Sequence, residues 1–292
     1  MYIILKLFSK FISLFPLRFL YVLAGGITRM VFIFWKEKRD NVYNNYSIIL
    51  QKKFGRPATP LEIKNTMQLN FANYGKFNVE FLYIDKILKS GRIPEIRGTG
   101  EAEIDRALSC KKGLIMATLH FSNWDIAGIT IAARFNKKAP VWAIADDLGG
   151  GYSKFIEDSR KNYGINLILP NKNLRDSYTC LENNGILNIL VDRPLPRSDK
   201  SGIEVDFFGK KAYVASVAAR LAYKTGAKII VGFLMRENNW FYGVPGAILN
   251  YELSGDREKD LHAITQSIFI EAEKIITKYP EEWYMFRRMW ER

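Results

Sequence analysis

The chain is poor in the residues that build metal centres, disulfide scaffolds and serine hydrolase sites. Among 292 residues it has two cysteines, Cys110 and Cys180, and two histidines, His120 and His262. Two isolated cysteines exclude a disulfide framework and fit a reducing compartment. With so few histidines and no cysteine cluster, the sequence argues against a metal-based mechanism and implies no cofactor. No G-x-S-x-G elbow occurs, which argues against a serine nucleophile on an α/β-hydrolase sheet. A membrane-spanning helix needs about 18–20 apolar residues in a row. Lys6, Lys10, Arg18 and Arg29 interrupt the apolar segment 1–35, so the sequence predicts no such helix. A cleaved signal peptide is not expected either, because apolar and basic sequence continues past Ala24-Gly25-Gly26. Acid is scarce relative to base, and internal repeats, low-complexity tracts and long linkers are absent.

What is present is base and aromatic surface. Lysine and arginine number 43 against 30 acids, a net charge of +13, and aromatics make up 14% of the chain. Such a protein suits an anionic partner: nucleic acid, an anionic membrane surface, or an acidic protein or substrate. No nucleic-acid-binding motif appears, which argues against the first. Residues 1–35 interleave aliphatic and aromatic side chains with Lys and Arg, the pattern of helices lying in a membrane interface, and Pro16 suits the start of a second helix. A soluble core helix with snorkelling lysines fits the same pattern. Lys36, Lys38, Arg39, Lys52, Lys53 and Arg56 follow, against only Glu37 and Asp40. Beside an apolar helix, each basic residue contributes on the order of 1 kcal/mol of attraction to anionic lipid. The expected organisation is a membrane-associating region, 1–56, and a catalytic α/β domain, 57–292.

Thr59-Pro60-Leu61-Glu62 spells a capping box with proline in the first turn, and predicts a helix reaching about Leu88. Its Phe77–Ile84 region is a candidate wall for an apolar groove. From Glu95 the pattern alternates. Strands are expected at 95–97, 114–119, 141–145, 166–169, 186–191, 205–208, 228–235 and 240–248. Helices are expected at 102–109, 125–134, 152–163, 174–182, 214–225 and 256–278. That alternation predicts an α/β fold with a central, mostly parallel mixed sheet flanked by helices.

The stretch that organises the chain is GLIMATLHFSNWD, 113–125. A buried strand ends at His120 and a helix starts a few residues later, the address at which open α/β sheets carry their sites. A neutral imidazole there can take a proton from a hydroxyl if an acceptor holds its other nitrogen. Asp125, in the first helical turn, is the expected acceptor. With no serine elbow, the nucleophile would be a substrate hydroxyl and the reaction a transfer. The same residues also fit a capped helix end beside a solvated carboxylate, with Ser122 and Asn123 as caps. Arg160, Asp192, Arg193, Arg197, Glu204 and the Phe207-Phe208-Gly209 turn are further candidates, each equally readable as surface or structural. Asp192 and Arg193 close an apolar strand, as His120 does.

Taken together, His120-X4-Asp125, Asp192 after a later strand, IEVDFFGKKAYVASVAARLAYKTGAKII and the closing YPEEWYMFRRMW resemble the late acyltransferases of lipid A synthesis. These are lysophospholipid-type enzymes, and the family includes acyltransferases of phosphatidylinositol mannosides. The resemblance implies transfer of an acyl chain from acyl carrier protein or coenzyme A to a glycolipid hydroxyl, at the cytoplasmic face of a bacterial inner membrane. It implies His120 as general base, Asp125 orienting it, and Arg160 and Asp192 as further site positions; Arg193, Asn123, Phe208 and Gly209 complete the expected substrate contacts. Amides near the 123–126 helix start are candidate oxyanion donors. The chain departs from the family where an arginine usually follows the third strand (here Ala143-Ile144-Ala145-Asp146-Asp147), at Arg193, where a neutral polar residue is expected, and at Gly149-Gly150-Gly151. A 1-acylglycerol-3-phosphate acyltransferase is a poorer match, because no Pro-Glu-Gly-Thr-like segment lies near Asp192.

Overall fold

The computed structural model describes residues 1–89, 93–145, 149–169, 175–237 and 240–290. The expected positions Asp146, Asp147 and Leu174 and the last two residues lie outside them.

Strand alternation sets the core. In β2 (Leu114–Thr118) Leu114 and Met116 point to one face of the sheet, and Ile115 and Ala117 to the other; all four are buried. A strand covered on both faces is apolar throughout, which is why this run shows no period of two. The neighbours of β2 are β5 (Ile186–Leu190) and β8 (Lys228–Glu237), both parallel to it. Beyond β5 lie β3 (Val141–Ile144) and β4 (Ile165–Ile168), and beyond β8 the antiparallel β9 (Trp240–Ile248) and then β1 (Glu95–Ile96). Among the described residues the sheet order is β1-β9-β8-β2-β5-β3-β4, with β8–β9 the one antiparallel pairing. The expected α/β architecture is observed.

One face of the sheet packs on α6 (Gly100–Ser109) and α7 (Trp124–Phe135). The other packs on α9 (Arg175–Glu182), α10 (Val217–Thr225), α11 (Arg257–Lys278) and the C-terminal tail. Tyr46, Ile49 and Leu50 of α3 (Lys36–Phe54) enter that same core. The helix α8 (Gly150–Asn162) stands between β3 and β4.

Three elements differ from expectation. The helix opened by the capping box is α4 (Pro60–Leu82); it breaks at Tyr83 and resumes as the short α5 (Ile84–Lys89). Residues 210–215, part of which was expected to be helical, form β7 (Lys210–Ala215), which pairs with β6 (Gly202–Phe207) as a hairpin outside the main sheet. Phe207 pairs with Lys210, so Phe208 and Gly209 are a two-residue turn, with φ of +54° and +72°. Two successive positive φ values match the strand twist in a type I′ turn. The hairpin signal was hidden because Phe occupies a position where Asn or Asp is usual.

The third difference is at the N-terminus. Helix α2 (Leu17–Phe34) is long and apolar enough to cross a membrane by length and composition, despite Arg18 and Arg29. It follows α1 (Tyr2–Ile12), whose Tyr2 hydroxyl bonds to Asp158 on α8. One side of α2 is committed to protein: Leu20, Ala24 and Phe32 are buried. The crossing with α4 is close because α4 presents Gly75, where a Cβ would lie 2.6 Å from Thr28 Cγ2 and 3.3 Å from the Ala24 carbonyl oxygen. The outer side leaves Phe19, Val22, Leu23, Ile27, Met30 and Ile33 exposed.

Gly75→Ala will therefore destabilise the protein by about 1–3 kcal/mol through overpacking, despite the better helix propensity of alanine. Adding Thr28→Ser, which deletes the obstructing methyl, will recover most of the loss in urea denaturation. Equal stability of the single and double variants would show that α2 does not sit against α4 in this way.

Candidate active site

The sheet register builds the site. Thr118 of β2 pairs with Leu190 of β5, and the two strands run parallel, so their carboxyl ends emerge side by side. Two residues further on they deliver His120 and Asp192. The His120 Nδ1 lies 2.8 Å from Asp192 Oδ1. The His120 backbone N–H donates to Asp192 Oδ2 at 2.9 Å, and the Trp283 indole N–H donates to the same oxygen at 2.7 Å. A carboxylate only accepts, so the neutral imidazole carries its proton on Nδ1 and leaves Nε2 as a base. The ring is about a third exposed, packs edge-to-face on Trp124, and borders a cavity of about 470 Å³.

The acid that holds the histidine is thus Asp192, not Asp125. Asp125 is nearly buried in the first turn of α7 and accepts a 2.7 Å hydrogen bond from Arg160 Nε on α8. The parallel neighbour strand puts Asp192 directly against the ring, whereas α7 directs Asp125 toward α8. Asp125, Arg160 and Arg193 all border the cavity with His120, together with Phe77 and Phe81 of α4. Four of the six expected substrate contacts do not line it: Asp192 is fully buried behind the ring, and Asn123, Phe208 and Gly209 lie elsewhere. Asn123 is wholly buried; its Oδ1 caps α7 through the Ile126 N–H at 3.0 Å, and its Nδ2 donates to Glu80 Oε2 at 2.9 Å. Phe208 is buried against Phe207 and Trp290, and its N–H donates to Glu273. Gly209 is the exposed half of the hairpin turn. Of the remaining candidates, Arg197 and Glu204 form an ion pair at 2.6 Å, and His262 is exposed on α11.

Asp192 is fully buried, and burial pushes its carboxyl up toward the neutral form. The His120 charge and the hydrogen bonds from His120 and Trp283 outweigh that penalty and leave it below its ordinary value. The segment 119–123 is held just as firmly. Tyr284 N–H donates to the His120 carbonyl at 2.7 Å, Ser122 N–H to the Glu282 carbonyl at 2.8 Å, and Phe121 forms an antiparallel bridge with Trp283. Ser122 takes φ +50°, a strained value for a residue with a Cβ. Its hydroxyl is buried and has no hydrogen-bond partner among the described residues.

Sequence reasoning missed the buried charges behind this loop. Glu80 of α4 and Arg236 of β8 form a bidentate pair at 2.6 and 3.0 Å, with side chains 0% and 8% exposed. Arg236 also lies 3.4 Å from Glu282, whose carboxyl is pushed above its ordinary value chiefly by burial. Tyr21 of α2 donates to Glu80 at 2.7 Å and Asn73 to Glu282 at 2.9 Å. The available signal was a carboxylate inside the apolar run Val79-Glu80-Phe81-Leu82. Unpaired, it would cost several kcal/mol, so a buried cation had to exist.

The profile of the family described as bacterial lipid A biosynthesis acyltransferase matches residues 2–292. A phosphatidylinositol mannoside acyltransferase of Mycobacterium tuberculosis H37Rv is 29% identical over 197 residues, 65% of this chain and 58% of that protein. One from Mycolicibacterium smegmatis is 28% identical over 190 residues, 63% of this chain and 59% of that protein. The matched part thus spans about three fifths of the length of these curated relatives.

Because the Asp192 carboxyl is depressed on folding, it contributes stability that is complete above the unfolded value of 3.8 and is lost as pH falls through the lower folded value. Acid unfolding followed by circular dichroism will show this loss, and Asp192→Asn will have a shallower acid limb. An unchanged acid limb in that variant would show that the buried carboxylate is not what titrates.

Proposed function

The chain belongs to the bacterial lipid A biosynthesis acyltransferase family, and from that premise and the His120 geometry we propose that it is a membrane-surface O-acyltransferase. It moves a fatty acyl chain from an acyl thioester, carried by acyl carrier protein or coenzyme A, to a hydroxyl of a glycolipid. The observation that carries this reading is an imidazole whose Nδ1 is fixed by a buried carboxylate while its ring borders a partly apolar cavity. A phosphatidylinositol mannoside or a lipid A precursor is the class of acceptor that the family and the curated relatives support.

In this mechanism the acceptor hydroxyl lies against His120 Nε2. The imidazole takes its proton as the oxygen attacks the thioester carbonyl, and Asp192 stabilises the imidazolium that forms. Collapse of the tetrahedral intermediate expels the thiolate, which His120 protonates. With the Ile126 N–H taken by the Asn123 cap, the amides of Trp124 and Asp125 remain at the α7 N-terminus to meet the oxyanion. The cavity wall of Phe77 and Phe81 suits the acyl chain, and the paired Arg160 and Asp125 suit the sugar hydroxyls of the acceptor. The exposed apolar sides of α1 and α2, flanked by the basic residues of α3, suit contact with an anionic leaflet, the cytoplasmic face of a bacterial inner membrane. Helix α2 packs on α4 along one side and leaves its other side apolar and exposed, which suits a helix seated in that leaflet's interface.

His120→Ala will lower turnover by at least about 10²–10⁴-fold with the far-ultraviolet dichroism unchanged. Asp192→Asn will lower kcat by a similar factor by disturbing the tautomer, and Asp125→Ala will act mainly on acceptor KM. Full activity of a folded His120→Ala protein would exclude the mechanism; a larger kcat loss in Asp125→Ala than in Asp192→Asn would return the orienting role to Asp125.

A further inference from the structure

A second cavity, of about 580 Å³, opens beside the segment that follows Asp192. Arg193 borders the cavity of His120, and the next residue, Pro194, borders this one. Its charged lining is entirely basic among the described residues: Arg197, Lys210, Lys211, Arg287 and Arg288. They converge from three places in the chain, namely the loop after β5, the return strand of the hairpin, and the tail. Glu204 and Asp206 neutralise Arg197 and Lys211 from outside the cavity wall, at 2.6 and 2.9 Å. No such acid is paired with Lys210, Arg287 or Arg288 among the described residues.

The two arginines are held in place by backbone. The Arg287 carbonyl accepts from Asn45 Nδ2 at 2.8 Å, and the Met289 N–H donates to Asn45 Oδ1 at 3.1 Å, fixing residues 287–289 to α3. Like charges gathered in a concavity repel one another and raise the local potential. Burial, and after it the nearby Arg287 charge, hold the Arg193 guanidinium below its ordinary value. An anion relieves such repulsion, and guanidinium groups match phosphoryl oxygens in a bidentate fork.

We propose that this cavity is a phosphoryl-binding site, which holds the phosphate-bearing part of a substrate whose reactive end lies at His120. The second half of that statement rests on the acyl-transfer reading. Among the substrates that carry such a group, two have a phosphate-bearing part that can be offered as a small soluble probe: a coenzyme A thioester, on its nucleotide, and a phosphoglycolipid acceptor, in its headgroup. The soluble probes are adenosine 3′,5′-bisphosphate for the first and glycerophosphoinositol for the second.

The test is calorimetric titration of each probe into the wild type, the double variant Lys210→Ala/Arg288→Ala, and Lys210→Glu. The last alters only an exposed side chain and controls for misfolding. One probe will bind the wild type, weakening with added salt, and both variants will bind it at least about tenfold more weakly, as expected for lost charge-assisted contacts. In turnover assays the same variants will raise the KM of the matching substrate about tenfold with kcat retained. If the donor is the source, the KM of an acyl N-acetylcysteamine thioester, which has no phosphate, will not change. Binding of neither probe to the wild type, or wild-type binding by both folded variants, would overturn the proposal. Since binding needs no turnover, a protein that holds the phosphate probe but transfers no acyl chain would sink the acyl-transfer reading and leave the site standing.

Discussion

The fully buried carboxylate of Asp192 is the constraint that the rest of the site obeys. An unpaired carboxylate in that position would cost several kcal/mol, so the fold has to supply donors from three directions. Two come from His120, its ring and its backbone, and one from the Trp283 indole. These donors can converge only if β2 and β5 are adjacent in the observed register and the tail returns across their ends. Sheet register, tail docking and imidazole tautomer are therefore one requirement. Three short hydrogen bonds into one buried anion allow the ring little rotation, the kind of preorganisation a general base needs.

The two acids near His120 divide the work by position. Asp192 comes from the next strand and meets the ring; Asp125 comes from the following helix and meets Arg160. A carboxylate already paired with a guanidinium at 2.7 Å is a poor proton relay. Facing a cavity, the pair instead presents a fixed donor and acceptor set. The strained Ser122 between them is the local cost of turning the chain from β2 into α7 so abruptly that His120 stays at the sheet edge.

Much of this was legible in the sequence. The strand–histidine–helix address, the capping box at Thr59 and the parallel α/β pattern follow from local periodicity and cap chemistry, which a sequence displays directly. Asp192 was legible as a strand-end residue of the same kind as His120, but its pairing with the ring was not. That pairing depends on which strands are neighbours, and the order β2-β5 skips two intervening strands. The place of Phe208 and Gly209 in a hairpin turn away from the His120 cavity was hidden for a related reason: a turn with two positive φ values is usually signalled by Asn-Gly, and here Phe replaces Asn because Trp290 and Phe207 bury its ring. Asn123 was read correctly as a cap, but its second bond, to Glu80, spans elements and has no local signature.

That second bond joins the periphery to the centre. Glu80 Oε1 accepts from Tyr21 and Arg236, and Oε2 from Asn123 and Arg236. Tyr21 sits on the helix whose outer face is apolar, and Asn123 caps the helix that begins beside the base. Only one carboxylate therefore separates the exposed apolar helix from the loop carrying His120. In a dry interior such a network moves as a unit, because releasing any one member leaves a buried charge unsatisfied. The apolar N-terminal surface and the His120 imidazole are accordingly held in a fixed relative orientation. A lipid hydroxyl presented at that surface would meet the base without a hinge between them, consistent with a site whose supports are helix packing, sheet register and a docked tail.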